Sequence, residues 1–515
     1  MIRAKRWLFL LHRWLGVLLC AFFAMWFVSG VVMMYVGYPK LTAAERLQHL
    51  PALEAAAPWL GPRQALDRAG ISGPLQDLRL AAASGGRAVY LAVPARDPNA
   101  ANPGRRRPPP GAGTVVIDAV NGAVLRSVDP ALVLASAAAY SDAGQPMRYE
   151  GVIQEDAFTH SRGLDAHRPL HVVQLADAEH TRIYISGQTG EVVRDATRQE
   201  RGWNYAGAWI HWLYPFRGNV FNPYWTDIVN GLSVLGMVVI VLGTVVGILR
   251  WRFMRSYKSG SHSPYKGFMM RWHHITGLLF AVITFTWMFS GLMSMSPWGI
   301  FANGAPALRT QAMNAGPLVM NGQEASPQAL LAAAGPDVRE LRWSRSDGKT
   351  LALASGALGR PVVLDALSAA AHVPDPVALK AAAARLLPSP VARVEVLNAY
   401  DMYYYSRDAH TMSGGNDKPL PVWRVVFDDS HATWVHVEPS TGAVLGRTDS
   451  TQRVRRWVFA MLHSWDWLPL LERRPLWDIL MIVLSLGGTA LSVTGVVIGR
   501  RRLGLKLSGF KARPL

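Results

Sequence analysis

Four blocks of apolar residues, at 7–36, 228–249, 275–295 and 479–498, constrain this chain more than any other feature it has. Each is about 20 residues or longer, the length a helix needs to cross roughly 30 Å of hydrocarbon at 1.5 Å rise per residue. Half of the 515 residues are hydrophobic, and they gather in these blocks rather than spreading along the chain as in a soluble domain. Two polar segments separate the blocks, each long enough for a domain with its own core.

The first block follows Arg3, Lys5 and Arg6 and so has the charged flank of a secretory signal. Its apolar run is far longer than a signal's core, and no small-x-small cleavage site follows, so it reads as a retained span. The formal charge of +18 does not mark a nucleic-acid binder. Basic residues crowd the N-terminus (Arg3, Lys5, Arg6, Arg13), the loop between blocks two and three (Arg250 to Arg271) and the C-terminus (Arg500 to Arg513). By the positive-inside rule these short segments lie in the cytoplasm and the two large loops outside it, with the lipid bilayer as the immediate partner. The one cysteine, Cys20, lies within the first block, which excludes a disulfide framework and a Cys-ligated metal cluster.

The chain is one unit written twice. His12, Gly16, Trp26, Ser29 and Gly30 recur at a constant offset as His273, Gly277, Trp287, Ser290 and Gly291. His211, Trp225, Gly243 and Gly247 recur, at another constant offset, as His463, Trp477, Gly495 and Gly499. The expected organisation follows: a first span at 1–36, an outer region at 37–202, an interfacial histidine segment and second span at 203–250, and a cytoplasmic loop at 251–270. The second unit repeats it, with a third span at 271–296, an outer region at 297–454, a histidine segment and fourth span at 455–499, and a cytoplasmic tail at 500–515. Two such units imply an α-helical membrane protein of four transmembrane helices in two pseudo-symmetric pairs.

The outer regions carry strand-like alternation that ends in turns at Asp118–Gly122, Ser186–Gly190, Asp365–Ser368 and Glu438–Gly442. Ala- and Leu-rich stretches at 327–334 and 376–387 precede two of them. The expected unit is a small α+β module with a helix packed on an antiparallel sheet. Residues 94–113, rich in Pro, Arg, Gly and Asn, read as a disordered excursion.

Ionisable groups inside spans are costly in lipid and mark function by default. His12 and His273 fall near the cytoplasmic ends of spans one and three, with His274 beside the latter; His211 and His463 fall just before spans two and four, within aromatic stretches. The repeat sets His12 against His273 and His211 against His463. Two neutral imidazoles in an apolar bundle suit the two axial positions of a haem iron. Zinc would want four ligands, which the spans do not supply. Gly16 and Gly277 lie one helical turn beyond the histidines, where a missing side chain lets a porphyrin approach. Without a C-x-x-C-H motif the haem would be b-type, two per chain. His274 has no copy in the first unit and the weaker claim. Met33, Met34, Met293 and Met295 read as apolar lining, and the histidines of the outer regions, among them His160, His171 and His436, read mostly as surface residues.

Spans that begin His12-Arg-Trp-Leu-Gly16 and His273-His-Ile-Thr-Gly277, with turns of the D-A-x-T-G kind between them, resemble the PepSY-associated transmembrane-helix family, which includes ferric-siderophore reductases of the bacterial inner membrane. The outer regions would then be two periplasmic α+β domains made of PepSY-like modules. Asp401–Ser406 with Lys418–Arg424 is similar to the family's pattern, while the first-half counterpart, Asp156–Phe158 with Arg168–Val172, is degenerate. The resemblance implies an acceptor, a ferric siderophore or similar ferric chelate on the periplasmic side. No G-x-G-x-x-G or flavin-binding segment is present, so the donor would be a cytoplasmic reductase or the quinol pool. The resulting expectation is a dihaem oxidoreductase of the inner membrane, with both termini cytoplasmic. The competing reading is a membrane-anchored PepSY module that binds or regulates a partner without redox activity. A transporter is disfavoured, since no buried acid or broken helix is evident in the sequence.

Overall fold

The computed structural model describes residues 2–95, 113–302, 304–408, 410–412, 414–415 and 418–511. The excursion expected at 94–113 falls almost wholly outside these residues. Among the described residues, three helices are long and apolar enough to cross a membrane: Ile2–Tyr35, Trp225–Arg250 and Leu476–Lys511. The fourth candidate is a pair, Phe268–Leu279 and Ala281–Ser294, bent by 66°. In chain order the bent pair is the third span and Leu476–Lys511 the fourth; the first apolar helix runs along the fourth, and the second packs against the latter half of the bent pair.

The bend departs from the unbroken helix expected at 275–295. Neither Pro nor Gly stands at the break. Instead the Thr276 and Thr284 hydroxyls donate to the carbonyls of Trp272 and Phe280, four residues back, at 2.7 and 2.8 Å. Such back-bonding competes with the helical ladder and bends helices. Phe280 leaves helical geometry (φ −105°, ψ 9°), and its ring lies where Gly487 of the fourth helix offers no Cβ.

Among the described residues the polar regions build three sheets of four strands or more. The first contributes β1 (Leu75–Ser84), β2 (Arg87–Pro94) and β3 (Val115–Asp118), then β4 (Met147–Ile153), β5 (Leu170–Leu175), β6 (Arg182–Ser186) and β7 (Val192–Ala196). The second contributes β8 (Val338–Ser346), β9 (Lys349–Gly356) and β10 (Val362–Asp365), then β11 (Val391–Leu397), the short pair β12 (Ser406–Arg407) and β13 (Gly414–Gly415), and β14 (Val422–Phe427), β15 (Trp434–Val437) and β16 (Val444–Thr448).

β4-β5-β6-β7 and β11-β14-β15-β16 are separate antiparallel sheets. Their second strands, β5 and β14, are buried almost throughout because both faces are covered, while the edge strands β4 and β11 stay partly open. Each sheet carries one helix. Pro130–Tyr140, capped by the Asp129 carboxylate on Leu132 N–H, seats Val133 and Ala137 on Val173, Ile183 and Ile185. Pro376–Ala383, capped by Asp375, seats Leu379, Ala382 and Ala383 on Trp423, Val425 and Val435.

The remaining strands do not stay within their own regions. They form one six-stranded sheet, β10-β9-β8-β1-β2-β3, joined where Arg79 faces Arg342 and Leu80 faces Leu341. A polar region with its core wholly to itself is therefore not what forms. The innermost strand of each half would otherwise be a bare edge, and pairing the two edges satisfies both. One core containing Tyr90, Trp343, Leu80 and Leu341, all at most 1 % exposed, runs beneath the seam. Each such leucine contributes about 2 kcal/mol of burial.

Candidate functional site

The first apolar helix is unbroken from Ile2 to Tyr35. His12 near its start and Ser29 near its end are therefore about 26 Å apart along the axis, at 1.5 Å per residue. Two histidine pairs form at these two levels.

At the level nearer the helix start, the His12 and His273 ring centres lie 6.4 Å apart. His12 leans on the second helix, where its Nδ1 is 3.2 Å from the Val239 carbonyl. His273 leans on the fourth, with Nδ1 3.2 Å from the Leu491 carbonyl and 3.2 Å from Thr494 Oγ1. Glycines make room for the rings: a Cβ on Gly243 would fall 2.5 Å from His12 Cε1, and one on Gly495 3.5 Å from His273 Cε1.

At the level nearer the sheets, the His211 and His463 ring centres lie 6.1 Å apart. Both histidines follow a π-helical turn, Tyr205–Trp209 and Trp457–Met461, of the kind that re-aims side chains at functional sites. Both precede a left-handed non-glycine residue, Leu213 (φ 54°) and Trp465 (φ 45°). That conformation costs about 1–2 kcal/mol. The indoles of Trp225 and Trp477 donate across each bend, to the carbonyls of Trp212 at 2.8 Å and Ser464 at 3.1 Å, and hold it. His211 Nδ1 is 3.0 Å from Ser29 Oγ, and His463 Nδ1 is 3.0 Å from Ser290 Oγ.

These partners decide the tautomer. Carbonyls only accept, so Nδ1 of His12 and of His273 carries the proton. Ser29 Oγ–H already donates to the Met25 carbonyl at 2.7 Å, and Ser290 Oγ–H to that of Trp287 at 3.0 Å, so both hydroxyls accept from imidazole. All four rings thus have Nδ1–H engaged and a lone pair on Nε2. This is the form in which a histidine ligates a metal, with its second nitrogen oriented by a neighbouring acceptor.

His274 is the opposite case. Its Nε2 lies 2.9 Å from the Gly247 carbonyl and must donate, and its Nδ1 accepts from Ser263 Oγ at 2.8 Å. With both nitrogens occupied it ties the end of the second helix to the loop before the third. Around Gly16 nothing comes within 4 Å of a would-be Cβ, while at Gly277 Leu491 lies 3.5 Å away.

A void of about 410 Å³ opens at the sheet-side pair, within the usual range for cofactor pockets. Its wall includes His211, His463, Trp26, Trp287 and Met288, and the one side chain of fixed charge among its described lining residues is Arg407. Among the described residues no group of three or more His, Cys, Asp or Glu could hold a bare metal ion. Each pair supplies two histidines, the number a haem iron would take, and a metal–imidazole bond of about 2.0 Å on each side would suit the observed ring-centre spacings of 6.4 and 6.1 Å.

Ser29, Ser290, Gly243 and Gly495 recur at the histidines' own offsets, and they stand beside the four rings. Arg407 gave no signal, because it reaches the void from a strand pair far along the chain. Of the histidines assigned to the surface, His436, His171 and His160 are buried, 2 %, 7 % and 9 % exposed.

Apolar helices of membrane-crossing length joined to β-sheet domains define a membrane protein. The family model described as the PepSY-associated TM region matches residues 9–502, and the chain belongs to that family. No curated protein matches it.

Proposed function

We propose that the chain is a b-type dihaem protein of the bacterial inner membrane that carries electrons across the bilayer to a periplasmic ferric chelate. The observation that carries this reading is the set of four buried-facing imidazoles, each with Nδ1–H held and Nε2 free, in two pairs at haem-ligand spacing. A plain membrane anchor has no use for four oriented lone pairs.

The bundle is four spans related by a pseudo-two-fold axis along the membrane normal. What supports it is that each contact in one half has its copy: His12 on Val239 against His273 on Leu491, and Ser29 on His211 against Ser290 on His463. Basic flanks place both termini and the loop at 251–270 in the cytoplasm. The His12–His273 pair then lies on the donor side and the His211–His463 pair on the acceptor side.

Haem held at each pair would supply reversible one-electron exchange between ferric and ferrous iron. The chain fixes ring orientation through the Nδ1 acceptors, strengthens the ligand by polarising the imidazole, and surrounds it with Trp, Met and Phe that keep water out. The sheet domains would hold the acceptor. The family resemblance points to a ferric siderophore or a similar chelate, whose hard oxygen ligands grip Fe(III) far better than Fe(II), so that reduction frees the iron. The donor would be a cytoplasmic reductase or quinol.

Protein purified in mild detergent from haem-replete cells should show a low-spin b-type spectrum and two haems per chain by the pyridine haemochrome assay. A folded, colourless preparation rejects the reading.

A further inference from the structure

The void at the sheet-side histidines is apolar except at one corner. There Arg407 enters from β12, and no carboxylate lines the wall among the described residues. Arg407 is pinned from behind by Asp466, which is 1 % exposed and lies three residues beyond His463. The same carboxylate also takes Arg456 at 3.2 Å and the Tyr405 hydroxyl. Two guanidinium groups share one carboxylate, so the cluster carries a net charge of +1 (two cations less one anion). Arg456 Nε is buried with no hydrogen-bond partner. An excess cation facing an apolar void is expensive unless an anion meets it there.

The surrounding hairpin borders this corner of the void through Arg407 and Met412. Met412 N–H donates to the Met34 carbonyl at 3.0 Å, and Gly37 N–H to the His410 carbonyl at 2.5 Å, so the β12–β13 segment is seated on the end of the first apolar helix. Arg407 Nη1 lies 3.4 Å from Met412 Sδ, within the same lid. Among the described residues the first half places no counterpart at this spacing in the wall of the void. Arg162, which follows Asp156 at the spacing by which Arg407 follows Asp401, is exposed on the surface.

We propose that Arg407 is the carboxylate receptor of this void and binds a propionate of the haem held between His211 and His463. This rests on the haem reading above. Guanidinium and carboxylate match as paired donors and acceptors, and such charge-assisted bonds are roughly twice as strong as neutral ones. Asp466 is the positioning residue. It fixes the guanidinium yet leaves the cluster one positive charge to spend on the ligand. A cation at the propionate favours the electron-rich ferrous state, and a fixed anion behind it opposes that effect.

The test uses the full chain in detergent. Arg407→Gln should lower the midpoint potential of the His211–His463 haem in a spectroelectrochemical titration and speed its transfer to apomyoglobin about tenfold, the worth of one charged hydrogen bond. Arg407→Lys should fall between. Asp466→Asn removes the opposing charge and should raise the same potential. Were Arg407 only a latch held by Asp466, both variants would loosen the same lid and move the potential the same way, and that result overturns the proposal. Unchanged haem transfer and potential in Arg407→Gln also overturns it. So does an effect confined to turnover with a carboxylate-rich ferric chelate, which would assign the receptor to the acceptor instead. A parent protein that binds no haem overturns both readings, whereas a normal two-haem parent with an indifferent Arg407→Gln overturns this one alone.

Discussion

Ser29 accepts a 3.0 Å hydrogen bond from His211 Nδ1, because its own proton is already committed to the Met25 carbonyl. The hydroxyl is thereby a switch set in one position, and it sets the imidazole. Ser29→Ala should leave Nδ1–H buried without an acceptor, at a cost of about 1–2 kcal/mol. The visible spectrum should show weakened haem at this level only. Ser290→Ala should be milder, because His463 Nδ1 also lies 3.3 Å from the Trp287 carbonyl, which keeps an acceptor in place; a smaller spectral change than in Ser29→Ala is the check. A loss of the His12–His273 haem in either would contradict the assignment.

His12→Ala and His273→Ala should remove one and the same haem, and His211→Ala and His463→Ala the other, because each pair faces across the bundle. His274→Ala should keep both haems. Its loss frees the Gly247 carbonyl and the Ser263 hydroxyl, so the expected defect is about 1–3 kcal/mol in stability, read from thermal melts. Haem quantitation across the five variants decides it.

Gly243 and Gly495 occupy copied positions but differ in clearance, 2.5 Å against 3.5 Å from the histidine ring to a would-be Cβ. Gly243→Ala should displace His12 and cut occupancy of the His12–His273 haem severely. Gly495→Ala, whose Cβ would meet Cys20 Cβ at 3.3 Å before the ring, should be much milder for that haem. Equal effects would show that the two rings are not held as described.

Reporter fusions after Gly260 and after Leu515 should read as cytoplasmic, and fusions near Gly190 and Gly442 as external, by the basic flanks of the short segments. An inverted pattern would put the donor and acceptor ends on the wrong sides.

His436 gives the sheet domain a pH dependence of known sign. Burial, and then the neighbouring Arg424, lower its pKa from 6.5 to about 4. Arg424 Nε donates to its Nε2 at 3.0 Å, which requires the neutral ring. In the unfolded chain His436 takes a proton below pH 6.5, and in the fold only near pH 4. The unfolded state therefore binds more protons across that window, and stability falls as pH drops from 6.5 to 4, by on the order of 3 kcal/mol at most. His436→Gln should flatten that slope in tryptophan-fluorescence unfolding curves. An unchanged slope would mean the ring titrates freely.

The apolar blocks, the doubled order of elements and the four paired histidines were legible from the amino-acid sequence alone. Each is a one-dimensional signal: a run long enough to cross a membrane, a constant offset, a costly residue inside an apolar stretch. The turns at Asp118–Gly122, Ser186–Gly190 and Glu438–Gly442 were legible for the same reason, their glycines standing at φ +74°, +72° and +70°. Three things were decided only in three dimensions. The sheet that joins Leu80 to Leu341 depends on two distant edges meeting, and no local pattern names an edge's partner. That His273 faces His12 while His274 meets the Gly247 carbonyl and the Ser263 hydroxyl is a matter of ångströms between helices rather than of spacing along one. Arg407 reaches the void because Asp466, 59 residues away, holds it there. A contact between residues so far apart exists only once the chain between them has folded.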